Sequence, residues 1–319
     1  MSHRLGVVVP NYNGQDLLPQ YLPTVLHSLE RAGGGETVVV DDASTDGSVS
    51  LLRERFPAVR VVIRPCNGGF GEAVNQGVRD LDAPLVAVCM TDMELHPDAL
   101  AAACRMFEQD DVFAVAFRLM ESEDAGSGGV TSMVFSRGMF HTVFPDAERP
   151  GEWGDLPVNV AFATGGAMVV RRDLFLDLGG FDPAFAPFNW EDVDLCWRAW
   201  RRGWRSVHCP DARAWHRHPH LTVERSTSED TVRRILWRNR ILFLRRNIRD
   251  RRILLQHRFW LALIKLKGFL RGDATVARAE RDAARLLRQA ARPEVPARVS
   301  DRVLMDYLSR PRRPEESLQ

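Results

Sequence analysis

The sequence predicts an α/β protein built on a mixed, mostly parallel sheet flanked by helices, with a helical, Arg-rich extension at its C-terminal end. Three observations predict it. Short apolar, β-branched runs alternate with helical stripes from residue 5 to residue 117. Polar residues, mostly Asp and Asn, follow directly after several of those runs. Charge is divided along the chain: residues 225–319 hold 24 Lys and Arg against 11 acids, net +13, leaving 19 against 31, net −12, for residues 1–224.

Leu5–Val9 is a β-branched run closed by Pro10. A helix follows with Leu18, Leu22, Val25 and Leu29 on one face, although Pro19 and Pro23 count against its early turns. Thr37–Val40 and Val59–Ile63 read as strands, with a short helix around Val49 and Leu52 between them. Phe70, Val74, Gly77, Val78 and Leu81 make a helical stripe before the strand Leu85–Cys89. Pro97 opens a helix carrying Leu100, Cys104 and Phe107, and Val112–Phe117 is strand-like again. Such alternation covers both faces of a largely parallel sheet. Ligands of these sheets sit beyond the carboxyl ends of the strands. Residues 120–157 lose periodicity and read as a long surface insertion. Order returns at Asn159–Val170, Leu174–Leu178 and the aromatic-rich Phe181–Trp204. From about residue 229 the pattern is helical, and Arg310–Gln319 reads as a disordered tail.

With 319 residues, 45% of them hydrophobic and 27% charged, disorder is excluded as the overall state and a large core is available. Five cysteines, at 66, 89, 104, 196 and 209, form no C-x-x-C pair and cannot all pair with one another. They point to reduced thiols in a cytoplasmic compartment, against a disulfide framework or a zinc finger. The first residues run directly into a strand, so no secretory leader is expected.

The strand ends carry the chemistry. Pro10, Asn11, Tyr12 and Asn13 follow the first strand; Asp41, Asp42, Ser44, Thr45 and Asp46 follow the second; Thr91, Asp92 and Glu94 follow the fourth. Each group alone is also ordinary turn chemistry. Gathered at one sheet edge, the carboxylates suit a divalent cation or sugar hydroxyls. Asn67-Gly68-Gly69-Phe70-Gly71 opens a helix and can bring backbone N–H groups to a phosphate, but it does not complete a dinucleotide fingerprint. Val193, Cys196, Trp197 and Trp200 share one helix face, which puts Glu191 and Asp192 in its first turn and Gly203 at its end. Acids are favoured at that position by the helix dipole alone. The approach Phe185–Trp190 is apolar, however, and a carboxylate beside such walls has its pKa raised, as a general base requires. Trp215–His220 supplies three histidines at alternate positions, a solvated turn or a source of one metal ligand.

Taken in order, these motifs resemble the inverting family 2 glycosyltransferases of the GT-A fold, a Rossmann-like sheet, and especially bacterial rhamnosyltransferase-like and galactofuranosyltransferase-like members. The resemblance rests on VVVPNYN at Val7–Asn13, VDDASTDG at Val40–Gly47, NGGFG with the following N-x-G at Asn67–Gly77, and TDMEL-x-PDAL at Thr91–Leu100. It continues with GGAMVVRR at Gly165–Arg172, GGFD at Gly179–Asp182, WEDVDLCWR at Trp190–Arg198 and WH at Trp215–His216. Together they cover roughly residues 5–220, and the ordered set is far more specific than any member.

The resemblance implies that residues 1–224 are the catalytic domain, followed by the helical basic region 225–309. It implies that Pro10, Tyr12, Asn13, Asp41, Asp42, Asn67, Gly71 and Asn75 hold the nucleotide of a nucleoside diphosphate sugar, an acidic side chain reading base or ribose. Asp92 and His216 would bind Mg²⁺ or Mn²⁺. Asp192 would be the catalytic base with Glu191 beside it, and Gly165, Gly166 and Trp190 would face the acceptor, a glycan or lipid-linked hydroxyl in cell-surface polysaccharide synthesis. One position departs from the pattern: Met90 stands where the first carboxylate of the metal-binding D-x-D is expected. Two other readings stay open at this point, a nucleotidyltransferase that makes nucleotide sugars and a non-catalytic nucleotide-binding relative.

The basic C-terminal region mixes Ile253, Leu255, Phe259, Trp260, Leu263 and Phe269 with Arg251, Arg258, Lys265 and Lys267. That mixture suits an anionic membrane surface, with the protein peripheral on the inner face of the cell membrane. It equally suits packing on the acidic domain, within one chain or in an oligomer. No recognition motif accompanies the arginines, so no nucleic-acid partner is expected.

Overall fold

The computed structural model describes residues 5–120, 126–145, 153–217, 227–289, 297–316 and 318. The predicted alternation is present: β1 (Leu5–Asn11), α1 (Leu18–Arg31), β2 (Gly35–Asp41), α2 (Ser48–Arg55), β3 (Arg60–Ile63), α3 (Phe70–Asp80) and β4 (Leu85–Cys89). There follow β5 (Met93–Leu95), α4 (Ala99–Arg105), β6 (Val112–Met120), β7 (Gly126–Gly128), β8 (Ser132–Ser136), β9 (Met139–Val143) and β10 (Val158–Asn159). The chain continues through β11 (Ala167–Arg171), α5 (Arg172–Asp177), α6 (Glu191–Arg201) and β12 (Arg205–His216). The C-terminal helices are α7 (Glu229–Asn247), α8 (Arg251–Leu270), α9 (Thr275–Gln289) and α10 (Asp301–Tyr307).

The main sheet runs β10-β12-β6-β11-β4-β1-β2-β3, with β5 added to β12 and β7 to β6. β1 to β4 are parallel; β11 lies antiparallel between β4 and β6, and β12 is parallel to β6. Period-two alternation sends Val8, Val38 and Val88 to a core shared with α3 and α6, and Val7, Val9 and Val39 to one shared with α1 and α4. α3 lies close on the sheet because Gly77 has no side chain; a Cβ there would fall 2.5 Å from a Val8 methyl.

Both prolines that counted against the start of the first helix lie within α1. Pro19 falls in its first turn, where the missing N–H costs nothing. Burial of Leu18, Leu22, Val25 and Leu29 outweighs the bond lost at Pro23.

The segment expected as a surface insertion contains the β8–β9 hairpin, with Val130, Met133, Met139 and Phe140 buried. The tail expected to be disordered is ordered over residues 310–316. Arg312 bridges Asn159 through backbone bonds of 2.6 and 3.3 Å, and the Tyr307 hydroxyl donates to the Glu316 carbonyl at 2.6 Å. Composition suggested disorder; the sheet edge at β10 supplies the partner that composition cannot show.

Charge divides the chain near residue 224, but packing does not. Ile241, Leu242, Phe243 and Leu244 of α7 are fully buried in the core that holds α6. The Phe243 ring lies 5.2 Å from Trp190 and 5.6 Å from Trp197. A buried ion pair and a buried hydrogen bond cross the same boundary: Arg246 reaches Asp182 at 2.6 Å, and Asn247 donates to Asp194, the partner of Arg198, at 2.7 Å.

Candidate active site

β1 lies between β2 and β4, where the strand order reverses, and ligands of such sheets bind in the crevice beyond the carboxyl ends at that point. The turns leaving these strands bond to one another. Asn11 donates to Asp41 at 2.7 Å, and Asp41 also accepts the Ser44 backbone N–H at 3.0 Å and its hydroxyl at 2.6 Å. Asn13, in the left-handed region at φ 53°, donates its backbone N–H to the Ser44 hydroxyl at 2.9 Å. Its side-chain oxygen accepts the Thr45 N–H at 2.8 Å. Asp42 accepts N–H groups from Gly68 and Gly69, the latter at 2.7 Å, and the Arg64 guanidinium at 3.0 Å.

Asp41 and Asp42 are thus 1% and 3% exposed. Their carboxylates order the turns, where the expectation had one of them reading base or ribose. Pro10, Tyr12 and Asn13 remain accessible at the crevice edge. Asn67 accepts the Gly69 N–H at 3.1 Å and shapes the glycine loop. Gly69 has φ 86°, and a Cβ there would meet the Pro187 carbonyl at 2.8 Å, so only glycine lets this loop touch the approach to α6. At Gly71 a Cβ would lie 3.2 Å from that of Phe181. Asn75, also expected at the nucleotide, is 4% exposed, and its amide makes two 2.8 Å bonds to the Phe181 backbone. It is a clamp on the approach to α6, with no polar atom turned toward the crevice.

α6 begins after two left-handed residues, Asn189 at φ 72° and Trp190 at φ 77°. For a tryptophan this backbone is costly, on the order of 1–3 kcal/mol, and the surroundings must hold it. Asn239 of α7 does so: its amide N–H₂ lies 2.7 to 2.9 Å from the carbonyls of Phe185, Phe188 and Asn189. Arg238 adds bonds to the carbonyls of Phe185 and Ala186.

The turn delivers Asp192 to the sheet edge. One carboxylate oxygen accepts the Gly165 N–H at 3.1 Å and the other the Val193 N–H at 2.8 Å. Burial raises its pKa, and these N–H groups oppose the rise. Glu191 is 8% exposed, and one of its oxygens is buried without a hydrogen-bond partner. Burial, and then the neighbouring Asp192 charge, push its pKa well above the ordinary carboxylate range. Of the two, Glu191 is biased to keep its proton, which leaves Asp192 as the group able to accept one.

Strand pairing brings the remaining residues to the same edge. Ala167 is opposite Cys89 in the β11–β4 ladder, and the Met90 N–H donates to the Gly166 carbonyl at 3.0 Å. A Cβ at Gly166 would fall 2.3 Å from the Met90 side chain, so glycine makes room for the methionine that replaces a carboxylate. His216 is opposite Met93 in the β12–β5 pair, and its Nε2 lies 3.1 Å from an Asp92 oxygen. His218 and His220 lie outside the described residues.

Asp92 and His216 supply one carboxylate and one imidazole. Among the described residues no group of three or more His, Cys, Asp or Glu side chains could hold a metal ion. Two ligands do not fill the roughly six positions of Mg²⁺ or Mn²⁺. The pair fits a cation whose other positions come from a diphosphate and water.

Sequence reasoning passed over Arg64, which bridges Asp42 and Glu72 from the end of β3 at 3.0 and 3.4 Å. The rule that residues after strands matter, applied to the third strand as well, would have found it. It also missed Asn239, a short polar residue on the buried side of α7; the only signal was its place near Ile235 and Leu242 on a helical pattern.

Residues 3–235 match the family described as glycosyltransferase-like family 2. N-acetylglucosaminyl-diphospho-decaprenol L-rhamnosyltransferase of Mycobacterium tuberculosis is 27% identical over 253 residues, covering 70% of this chain and 78% of that protein. The mannosyltransferase PcManGT from Pyrobaculum calidifontis, solved with GDP-Man and Mn²⁺, is 19% identical and has a TM-score of 0.56 over 91% of this chain and 77% of that one. GalNAc-T7, solved with UDP, GalNAc and Mn²⁺, is 15% identical with a TM-score of 0.58; the match covers 76% of this chain but 48% of that one, about half its length. At these identities the two structures establish the fold. Matched over most of its length and built on the GT-A sheet, the chain belongs to glycosyltransferase-like family 2.

Proposed function

We propose that this glycosyltransferase moves a sugar, with inversion, from a nucleoside diphosphate donor to a hydroxyl of a lipid-linked glycan acceptor at the inner face of the cell membrane, in cell-surface polysaccharide synthesis. The observation that carries the reading is Asp192, a part-buried carboxylate with a raised pKa, held by Gly165 beside the strand end that bears Met90 and Asp92. Asp192 takes the acceptor hydroxyl proton as that oxygen attacks the anomeric carbon. The bond from that carbon to the diphosphate breaks, and nucleoside diphosphate leaves from the opposite side. Pro10, Tyr12 and Asn13 line the nucleotide position, on turns ordered by Asp41, Asp42, Asn67 and Gly71. Gly165, Gly166 and Trp190 form the acceptor side. The relative from Mycobacterium tuberculosis carries a decaprenol-linked substrate in its name, which supports an acceptor borne on a polyprenyl lipid here.

Asp92 and His216 would hold a divalent cation at the donor diphosphate. When bound, the cation stabilises charge on the leaving phosphates. Calorimetry tests this: nucleoside diphosphate should bind more tightly with Mn²⁺ or Mg²⁺ than with chelator, and Asp92→Ala and His216→Ala should each remove most of the gain, about tenfold. Equal affinity with metal and with chelator contradicts the joint site.

The reaction is tested by incubating the protein with a panel of nucleotide sugars and a polyprenyl diphosphate sugar. Release of nucleoside diphosphate together with an extended lipid is expected. Pyrophosphate release from a nucleoside triphosphate, with no sugar transfer, would refute it.

A further inference from the structure

Of the twelve exposed large apolar side chains among the described residues, seven lie on α8. Such clustering on a 20-residue helix needs an explanation, because single exposed apolar residues are ordinary and a contiguous strip is not. At 3.6 residues per turn, Leu255, Phe259, Leu263, Leu266, Phe269 and Leu270 fall on one side of the helix. Their exposures run from 41% at Leu263 to 80% at Phe269. The opposite side is already used. Ile253, His257 and Leu261 are buried, His257 Nδ1 lies 2.9 Å from the Gly138 carbonyl of the β8–β9 turn, and Lys265 pairs with Glu280 of α9. The helix therefore has two apolar faces, one against the protein and one turned outward.

Cations border the outward face, Arg251 and Arg258 on one flank and Arg252 and Lys267 on the other. No acidic residue occurs from Arg251 to Gly272. Among the described residues, no helix is long and apolar enough to cross a membrane.

We infer that the outward face of α8 docks on an anionic lipid surface, lying in the interface with Phe259, Leu266 and Phe269 among the acyl chains and its cations on the headgroups. Charge decides between this partner and a second copy of the chain: two such faces would oppose cation to cation with no acid between them. The choice of a lipid also rests on the lipid-linked acceptor proposed above, but vesicle binding is measured without any acceptor or donor. A failed transfer assay and a failed docking assay are therefore separate results.

The full-length protein is sedimented with phosphatidylcholine vesicles and with vesicles that also contain phosphatidylglycerol. Binding to the second kind alone, weakened by salt, is expected. Phe259→Ser/Leu266→Ser and Arg258→Glu/Lys267→Glu change only exposed side chains; each should partition at least about tenfold less while hydrolysing donor at the normal rate. The inference is overturned if the wild-type protein stays in the supernatant with phosphatidylglycerol vesicles at low salt, or if the Ser double variant binds like wild type. A dimer that the Ser double variant converts to monomer, with no vesicle binding by either, overturns it in favour of self-association.

Discussion

The turns proposed to hold the nucleotide and the turn that presents Asp192 lie at one sheet edge but are held by different means. Across the ends of β1, β2 and β3, Asn11 bonds Asp41, Asn13 bonds Ser44, and Asp42 bonds the 68–69 N–H groups. All these partners lie within about sixty residues, and each is the kind of residue that forms turns. The catalytic turn cannot hold itself. Its two left-handed residues are fixed by Asn239, fifty residues later on a helix of opposite overall charge. The first set of bonds is local in sequence; the second is completed by the C-terminal region, which under the proposed function makes that region a support for the base as well as a docking element.

Asn239→Ala should expose this difference with the largest effect. It takes the Asn239 donor from the carbonyls of Phe188 and Asn189 and leaves Phe185 with Arg238 alone, at about 1–3 kcal/mol for each buried group left unpaired. Turnover should fall about tenfold or more through the misplaced Asp192. Nucleoside diphosphate affinity should stay within about twofold of wild type if the two halves are independent. An equal loss in both quantities would show that the crevice is one mechanical unit.

Asp42→Ala is the reverse probe. Without its carboxylate, Gly68 loses its acceptor, Gly69 keeps only Asn67 and Arg64 only Glu72. Nucleotide affinity should drop about tenfold even with chelator present, because the loss is in turn geometry and not in metal binding. Unchanged affinity would remove Asp42 from the nucleotide side.

Glu191→Gln should have the smallest effect, on stability. The folded pKa of Glu191 lies above its ordinary 4.5, so its contribution is fully present below that pH and lost as pH rises toward the folded value. Glutamine removes that loss. Thermal melting of the variant should exceed wild type by a few degrees near pH 7 and match it near pH 4. A lower midpoint at neutral pH would mean that the Glu191 charge is stabilising.

How far the sequence reveals the molecule follows the same division. β1 to β4, α3 and α6 are legible because period and turn chemistry are local, and so are Asp92 and His216 as candidates. The residues that hold others in place are harder to see. Asn75 carries a family motif yet serves Phe181, a partner 106 positions away. Arg312 reads as tail composition until β10 supplies its bridge. Charge asymmetry marks off residues 225–319, but it is blind to Phe243 stacking near Trp190. Long-range packing of this kind leaves no period in the chain.

The central claim is that Asp192, on a turn held from the C-terminal region, is the base. The most direct measurement is donor-to-acceptor turnover and nucleoside diphosphate affinity, side by side, in Asp192→Asn. The variant keeps the side chain's shape and an oxygen for the Gly165 N–H. Turnover should fall at least about a hundredfold while affinity is retained. In the wild-type protein the acid limb of the pH–rate profile should lie above the ordinary aspartate range, because burial raises the Asp192 pKa and a base is lost as pH falls through it. Near-normal turnover in a folded Asp192→Asn variant would contradict the claim and shift the role to Glu191.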